Sequence, residues 1–306
     1  MVYINLMLTI FTIPKAFRGQ FKIIQTNAIK SWIELQPKCE VILFGNEEDT
    51  AETANELGVK HIPEINRNKY GTPLISAAFE TVQQVAKHQI MCYANADIIM
   101  MRDFPSIVGQ VRKRRFVIVG QRWDVDVNQS LDYSKDDWDE QLKLYTKEFG
   151  VLHSKDGIDY FVFPRGQYRN IPPFAVGRPG WDNWMIYHSR LKHIPVIDAS
   201  SVILAVHQNH DYSHHPDGTE GVWNGPEAKY NLDIVKNHNL DLRDATFILG
   251  SSSLKSAITI NNFRRYINTL TLLYPKSFFG IRLLKVLLRK LRGINEDTIS
   301  RSKASS

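Results

Sequence analysis

The chain has 306 residues, 43% of them hydrophobic, which is enough apolar mass to bury a sizeable core. Its only cysteines, Cys39 and Cys92, are too few for a disulfide framework, and both sit in apolar runs, which points to a reducing, intracellular setting. The formal charge of +6 is concentrated: nine Lys or Arg and no acid lie between residues 245 and 295, so nucleic-acid binding by the domain as a whole is not implied and no nucleic-acid partner is expected.

In chain order, "INLMLTIF" reads as a strand, "FKIIQTNAIKSWIELQ" as a helix, "CEVILFG" as a strand and "TAETANELGV" as a helix. A short strand "KHIPEI" and a helix "TPLISAAFETVQQVAKH" follow, the helix with Thr72 as N-cap and Pro73 at its first position. Then come a strand "QIMCYANADIIM", a short helix "FPSIVGQVRK" and a strand "RFVIVGQ". The opening "MVYINLMLTIFTIPKAF" has no basic segment before its apolar run and no small-residue cleavage site, and it is too short to span a bilayer. We expect a buried first strand and neither signal peptide nor transmembrane helix. The alternation with continuous apolar strands predicts an α/β domain, a mostly parallel central sheet with helices on both faces.

Past residue 120 the texture changes. Trp123, Trp138, Trp181, Trp184 and Trp223 are scattered among Asp, Asn, His, Gly and Pro, which suits core plugs or a platform for a polyhydroxylated ring. From 245 onward a basic tail is expected. In it "FFGIRLLKVLLRKLRG" places Ile281, Leu284, Leu287, Leu288 and Leu291 at helical spacing, with Arg282, Lys285, Arg289 and Arg292 around the other side. Such a helix suits an anionic membrane surface through residues 278–292, or a terminal helix docked with a solvated basic face. The last residues, "TISRSKASS", have a disordered composition.

Three groups carry chemistry. In "YANADIIMM", Asn95 and Asp97 are two apart, the spacing that puts two oxygens on one strand face and suits a divalent cation also held by a diphosphate; a turn built from Asn and Asp is the alternative. Ligands of parallel sheets sit beyond the carboxyl ends of the strands, where Thr9 to Pro14 and Asn46 also fall. In "VHQNHDYSHHPDG", His207, His210, His214 and His215 offer metal ligands or a base, in a loop and not on a zinc-protease helix. In "GRPGWDNWM", Asp182 between two tryptophans suits a general base in an apolar cleft, or an ordinary helix cap.

Taken together, "YANADIIMMRDF", "GTPLISAAFETVQQV" and "GWDNW" followed by a His-containing segment resemble the GT-A class of nucleotide-sugar-dependent glycosyltransferases over roughly residues 3–235. The class has an Asp-x-Asp motif, and here Asn95 replaces its first acid. The resemblance implies a single GT-A-like, Rossmann-type domain over residues 1–244, with a nucleotide-binding half (1–120) and an acceptor half (121–244), followed by the tail 245–306. It implies that Asp97 and His207 hold Mn²⁺ or Mg²⁺, and that Thr9, Phe11, Pro14, Asn46, Asn95 and Asp97 bind the nucleotide-diphosphate sugar. By the same resemblance Trp181, Asn183 and His210 face a glycan or lipid-linked acceptor, and Asp182 is the base of an inverting hexosyl or pentosyl transfer. A cytoplasmic enzyme of polysaccharide biosynthesis, peripheral at the membrane, is the expectation. A nucleotidyltransferase is a rival, weakened because "TIPKAFRGQF" has only Gly19, Lys15 and Arg18 to cradle a phosphate. A catalytically silent carbohydrate-binding or membrane-associated protein and a zinc hydrolase are the others.

Overall fold

The computed structural model describes residues 7–212, 216–236, 238–251, 253–278 and 280. The chain divides into two compact units, Met1–Ala257 and Ile258–Ser306. In chain order the first unit forms β1 (Leu8–Thr12), α1 (Gly19–Ile33), β2 (Glu40–Phe44), α2 (Thr50–Glu56), β3 (Lys60–Ile62), α3 (Ile75–Val85), β4 (Ile90–Ala94) and β5 (Ile98–Met100). It continues with α4 (Phe104–Val108), β6 (Val117–Val119), β7 (Arg122–Val125), α5 (Trp138–Phe149), β8 (Val151–Leu152), β9 (Tyr160–Pro164) and α6 (Trp181–Leu191). It ends with β10 (Val196–Asp198), β11 (Ala205–Gln208), α7 (Gly218–Asn224), α8 (Pro226–Val235), β12 (Phe247–Leu249) and β13 (Leu254–Ser256).

One sheet runs β13-β12-β10-β6-β9-β4-β1-β2-β3, and a smaller one runs β5-β11-β7-β8. In the larger sheet β1, β2, β3 and β4 pair in parallel, as do β6, β10 and β12, while β9 runs against both β4 and β6. The mostly parallel α/β architecture expected from the alternation is therefore what forms.

Period-two alternation explains the burial of both faces. Leu8 and Ile10 of β1 and Cys92 and Ala94 of β4 point to one face, where α1 contributes Ala28, Ile29 and Trp32 and α4 contributes Phe104 and Val108. Phe11 of β1 and Tyr93 of β4 point to the other. There the Phe11 ring meets Phe44, Phe79 of α3, Tyr93 and Phe163 at centroid distances of 6.1, 5.1, 5.5 and 6.3 Å.

Several expectations are corrected. The strand 89–100 is interrupted: β4 ends at Ala94 in the large sheet, and β5 begins at Ile98 in the small one. Thr72 does not cap α3, which starts at Ile75 behind an extended Leu74, because residues 73 and 74 bridge to Arg67 and Ala175. The stretches 1–120 and 121–244 share one sheet, in which β9 lies between β4 and β6. The charge change at 245 marks no structural boundary either: β12 continues the ladder beside β10, and β13 closes it. The second unit contains α9 (Phe263–Leu273). Of the basic amphipathic segment 278–292, residues 279 and 281–292 lie outside the described residues. No helix among the described residues is long and apolar enough to cross a membrane.

Phe79 is fully buried and touches four other aromatic rings. We expect Phe79→Ala to destabilise the first unit by about 3–5 kcal/mol. Urea unfolding checks this, and a midpoint equal to that of the wild type contradicts the packing described.

Candidate functional site

The interruption between β4 and β5 builds the site. Asn95, Ala96 and Asp97 form a tight turn in which the Ile98 amide donates to the Asn95 carbonyl at 3.1 Å, so Asn95 and Asp97 do not share one face of an extended strand. The turn carries the chain from the large sheet into the small one. There β5 pairs antiparallel with β11, placing Ile98 opposite His207 and Asp97 beside Gln208. The Gln208 backbone amide and side-chain amide both donate to the Asp97 carbonyl, at 3.2 and 3.1 Å. Gln208 is itself buried and tied to Asn27 and to the Ile24 carbonyl of α1.

The Asp97 carboxylate then faces two imidazoles. His210 Nε2 lies 3.2 Å and His207 Nε2 4.0 Å from Asp97 Oδ2, and one ligand atom from each of the three residues fits within a 4.8 Å group. Both rings turn their other nitrogen to oxygen. His210 Nδ1 lies 2.6 Å from the Asp211 carbonyl, and His207 Nδ1 lies 3.0 Å from Asp124 Oδ1, close but without the alignment of a hydrogen bond. With Nδ1–H assigned toward these oxygens, each Nε2 offers a lone pair toward a carboxylate, an arrangement that a proton or a cation relieves. Asp97 Oδ1 is buried with no hydrogen-bond partner. Burial alone raises a carboxyl's proton affinity. Where Nε2 carries a proton, the His210 hydrogen bond and the charges of His207 and Lys15 outweigh it and hold the Asp97 carboxyl well below the usual carboxylate range. The donor set, one ionised carboxylate and two imidazoles with an orphaned oxygen, fits a divalent transition metal.

Behind this cluster stands a charged network. On β7, Asp124 is level with His207 in the parallel register of β11, and its second oxygen takes His153 Nδ1 at 2.7 Å. Arg122 joins Asp124 (2.9 Å) to Asp159 (2.6 Å), and the Asn95 amide donates to the other oxygen of Asp159 at 2.5 Å. Burial acts to raise the Asp124 carboxyl, but His207, His153 and Arg122 hold it well below its ordinary value. Asp124 is thus placed to orient a candidate metal-ligating histidine.

Asp97 opens on a cleft of about 960 Å³. Pro14 and Lys15 after β1, Asn95 and Ala96 in the turn, Tyr93, Arg178 and Glu227 are among its lining residues. The loop after β1 is held by buried Gln25 of α1, which accepts from the Lys15 amide at 2.7 Å and donates to the Lys15 carbonyl at 2.9 Å.

Pro14, Asn95 and Asp97 are therefore brought together at the cleft, and His207 and His210 meet at Asp97. Other expected site residues lie elsewhere. Thr9 is near the start of β1, fully buried, and donates to Glu40 at 2.7 Å. Phe11 points into the aromatic core because it occupies the inward phase of β1. Asn46 does not line the cleft and accepts from Arg67 at 2.6 Å. Trp181 is buried against Tyr93 and Phe161, so its ring is a core plug and not a platform, and Asn183 is taken up by the Asp156 and Leu240 carbonyls at 3.1 Å each. His210 stands with the candidate metal ligands, where an acceptor contact had been expected. His214 and His215 lie outside the described residues.

Asp182 enters the first turn of α6 behind Gly180, whose φ of +95° is a conformation that glycine adopts without strain. It does not line the cleft. Burial pushes its carboxyl up to about 7, reinforced by the charge of Asp159 and opposed by backbone amides of Asn183 and Ile158. Sequence reasoning missed Asp124, His153, Arg122 and Asp159. The alternation in "RWDVD" was a signal for a polar strand edge, but its partner strand was not readable.

No family model matches this sequence, and no curated protein matches it. Solved structures of nucleotide-sugar glycosyltransferases are similar in architecture. A mannosyltransferase from Pyrobaculum calidifontis in complex with GDP-Man and Mn²⁺ is 12% identical with a TM-score of 0.42, covering 66% of this chain and 56% of that one. GalNAc-T7 with UDP, GalNAc and Mn²⁺ is 15% identical with a TM-score of 0.46, covering 76% of this chain and 48% of that one. TarS 1–349 from S. aureus in complex with UDP-GlcNAc is 13% identical with a TM-score of 0.31, covering 41% and 38%. The chain spans roughly two fifths to just over half the length of these three.

Two outcomes follow from the geometry. Mn²⁺ titration followed by electron paramagnetic resonance should show one site that Asp97→Ala removes and Asp124→Asn weakens about 10- to 100-fold; equal affinity in Asp124→Asn refutes the orienting role. Asp182 retains a proton in the folded state up to about pH 7, whereas the unfolded chain releases it near pH 4. Its effect is therefore a loss of stability as pH rises through that window. The stability difference between wild type and Asp182→Asn, measured by urea unfolding from pH 4 to 8, should change across it in that direction and flatten outside it.

Proposed function

We propose that the first unit is a metal-assisted glycosyltransferase. It moves a sugar from a nucleotide-diphosphate sugar to a hydroxyl of a glycan or lipid-linked acceptor, with inversion at the anomeric carbon. The observation that carries this reading is the cluster of Asp97, His207 and His210 at a cleft of about 960 Å³ beyond the carboxyl ends of β1 and β4. That place and size suit a nucleotide with its sugar, and the motif resemblance of "YANADIIMMRDF" supplies the reaction class.

One carboxylate with two imidazoles suits Mn²⁺ better than Mg²⁺, which prefers oxygen ligands. When bound there, such an ion neutralises charge on a leaving diphosphate. The chain's own residues do the rest. Pro14 and Asn95 line the donor part of the cleft, and the Asn95 amide, fixed by Asp159, sets the turn that presents Asp97. The motif resemblance assigns the acceptor proton to Asp182, whose carboxyl is pushed up to about 7 by burial and which stands at the start of α6 outside the cleft lining.

A panel of nucleotide sugars assayed for hydrolysis and transfer, with Mn²⁺ and with a chelator, tests the reading. Metal-dependent binding and turnover of one donor are expected, with Asp97→Ala and His207→Ala weakening donor binding. Asp182→Asn should leave donor affinity within a few-fold and lower turnover by about 10²- to 10⁴-fold, the usual contribution of a general base. Failure of every nucleotide diphosphate and nucleotide sugar to bind refutes the assignment.

A further inference from the structure

Three basic side chains line the cleft, and two of them are committed. Arg18 pairs with Glu48 at 3.1 Å, and buried Arg178 pairs with Glu227 at 2.6 Å. Lys15 is different. Its ammonium sits 4.6 Å over the Phe21 ring and forms no ion pair among the described residues. Its backbone is clamped on both sides by Gln25, so the side chain projects from a fixed point and not from a loose loop. Asp97 and Asp159 act on it only through space, without an ion pair, so a half-buried cation is left that a ligand's oxygen can partner. A second observation points the same way: Arg178 Nε, on the cleft wall, is buried with no hydrogen-bond acceptor.

From this we infer that Lys15, assisted by Arg178, forms an oxyanion site for the phosphate groups of the ligand, acting beside the Asp97 cluster and independently of any metal. The inference rests on the transferase reading for the identity of the ligand, but the site itself requires only a diphosphate. In the transfer, the bond from the anomeric carbon to the phosphate oxygen breaks with its electron pair going to that oxygen. The acceptor oxygen forms the new bond to carbon, and its proton passes to the general base of the transfer. Lys15 binds the oxygen that gains the charge. Its role is to stabilise the departing group, as a compact ammonium does for phosphate.

The probe is inorganic pyrophosphate, with UDP and GDP alongside, titrated calorimetrically against wild type, Lys15→Ala and Lys15→Arg in a chelator and again with Mn²⁺. Thermal unfolding of each variant verifies its fold. Lys15→Ala should bind pyrophosphate at least 10-fold more weakly in both conditions, and Lys15→Arg should recover most of the loss. Affinity within two-fold of wild type in Lys15→Ala, a loss seen only with Mn²⁺ present, or no pyrophosphate binding by the wild type overturns the inference. Lys15-dependent pyrophosphate binding without any binding of nucleotides or nucleotide sugars instead refutes the transferase reading and leaves the anion site standing.

Discussion

The rest of the site depends on one constraint, the turn at Asn95–Asp97 by which the backbone leaves the large sheet and enters the small one. A strand that continued straight would keep Asp97 in the ladder of β4, away from β11. Because the chain crosses over, β5 pairs with β11, and the acid that ends one sheet stands beside the histidines that belong to the other. The Asp97 carbonyl, held by two donors of Gln208, fixes that crossing in place. Gln208 is buried and spends its remaining groups on α1, so the crossing is anchored to the helix that also clamps Lys15 through Gln25. Both parts of the cleft therefore answer to a single rigid element.

The network behind the cluster explains why an amide and not a carboxylate occupies position 95. Asn95 donates to Asp159 at 2.5 Å, and Asp159 also receives Arg122 at 2.6 Å. An acid at 95 would set two carboxylates against each other with a single guanidinium between Asp159 and Asp124, and one of them would have to hold a proton. The amide avoids that conflict and keeps the turn closed. What looked in sequence like a weakened motif is, in the folded chain, a hydrogen-bond donor that the neighbouring acid requires.

Legibility from sequence followed the range of the interactions. The alternating front half, with its parallel strands and two-sided burial, was readable because hydrophobic periodicity is local. The importance of Asp97 and His207 was readable from residue chemistry, and their meeting comes from a pairing between segments 110 residues apart in the chain. Asp124 was invisible for the same reason, since nothing near it in sequence announces that β7 lies beside β11. Thr9 and Phe11 failed on phase and position: Phe11 takes the inward phase of β1 and Thr9 lies near its start, so the cleft lining begins only at Ile13. Trp181 failed because an aromatic flanked by polar residues marks a helix start as readily as a sugar platform. Its ring went to Tyr93 and Phe161.

The composition of the cluster also sets its charge, and the charge suits a polyanionic ligand. A divalent ion held by one carboxylate and two neutral imidazoles keeps one net positive charge, whereas the same ion between two carboxylates keeps none. Arg122, 2.9 Å from Asp124, is shared with Asp159 at 2.6 Å, so it offsets only one of these two acids. Lys15 lies on the same cleft, whose lining also carries Arg18 and Arg178 and the acids Glu47, Asp217 and Glu227. In a cleft walled by protein such a local field is screened less than at an open surface. An amide at position 95 thus leaves a divalent ion bound at Asp97 one unit more positive than a second ligating carboxylate would.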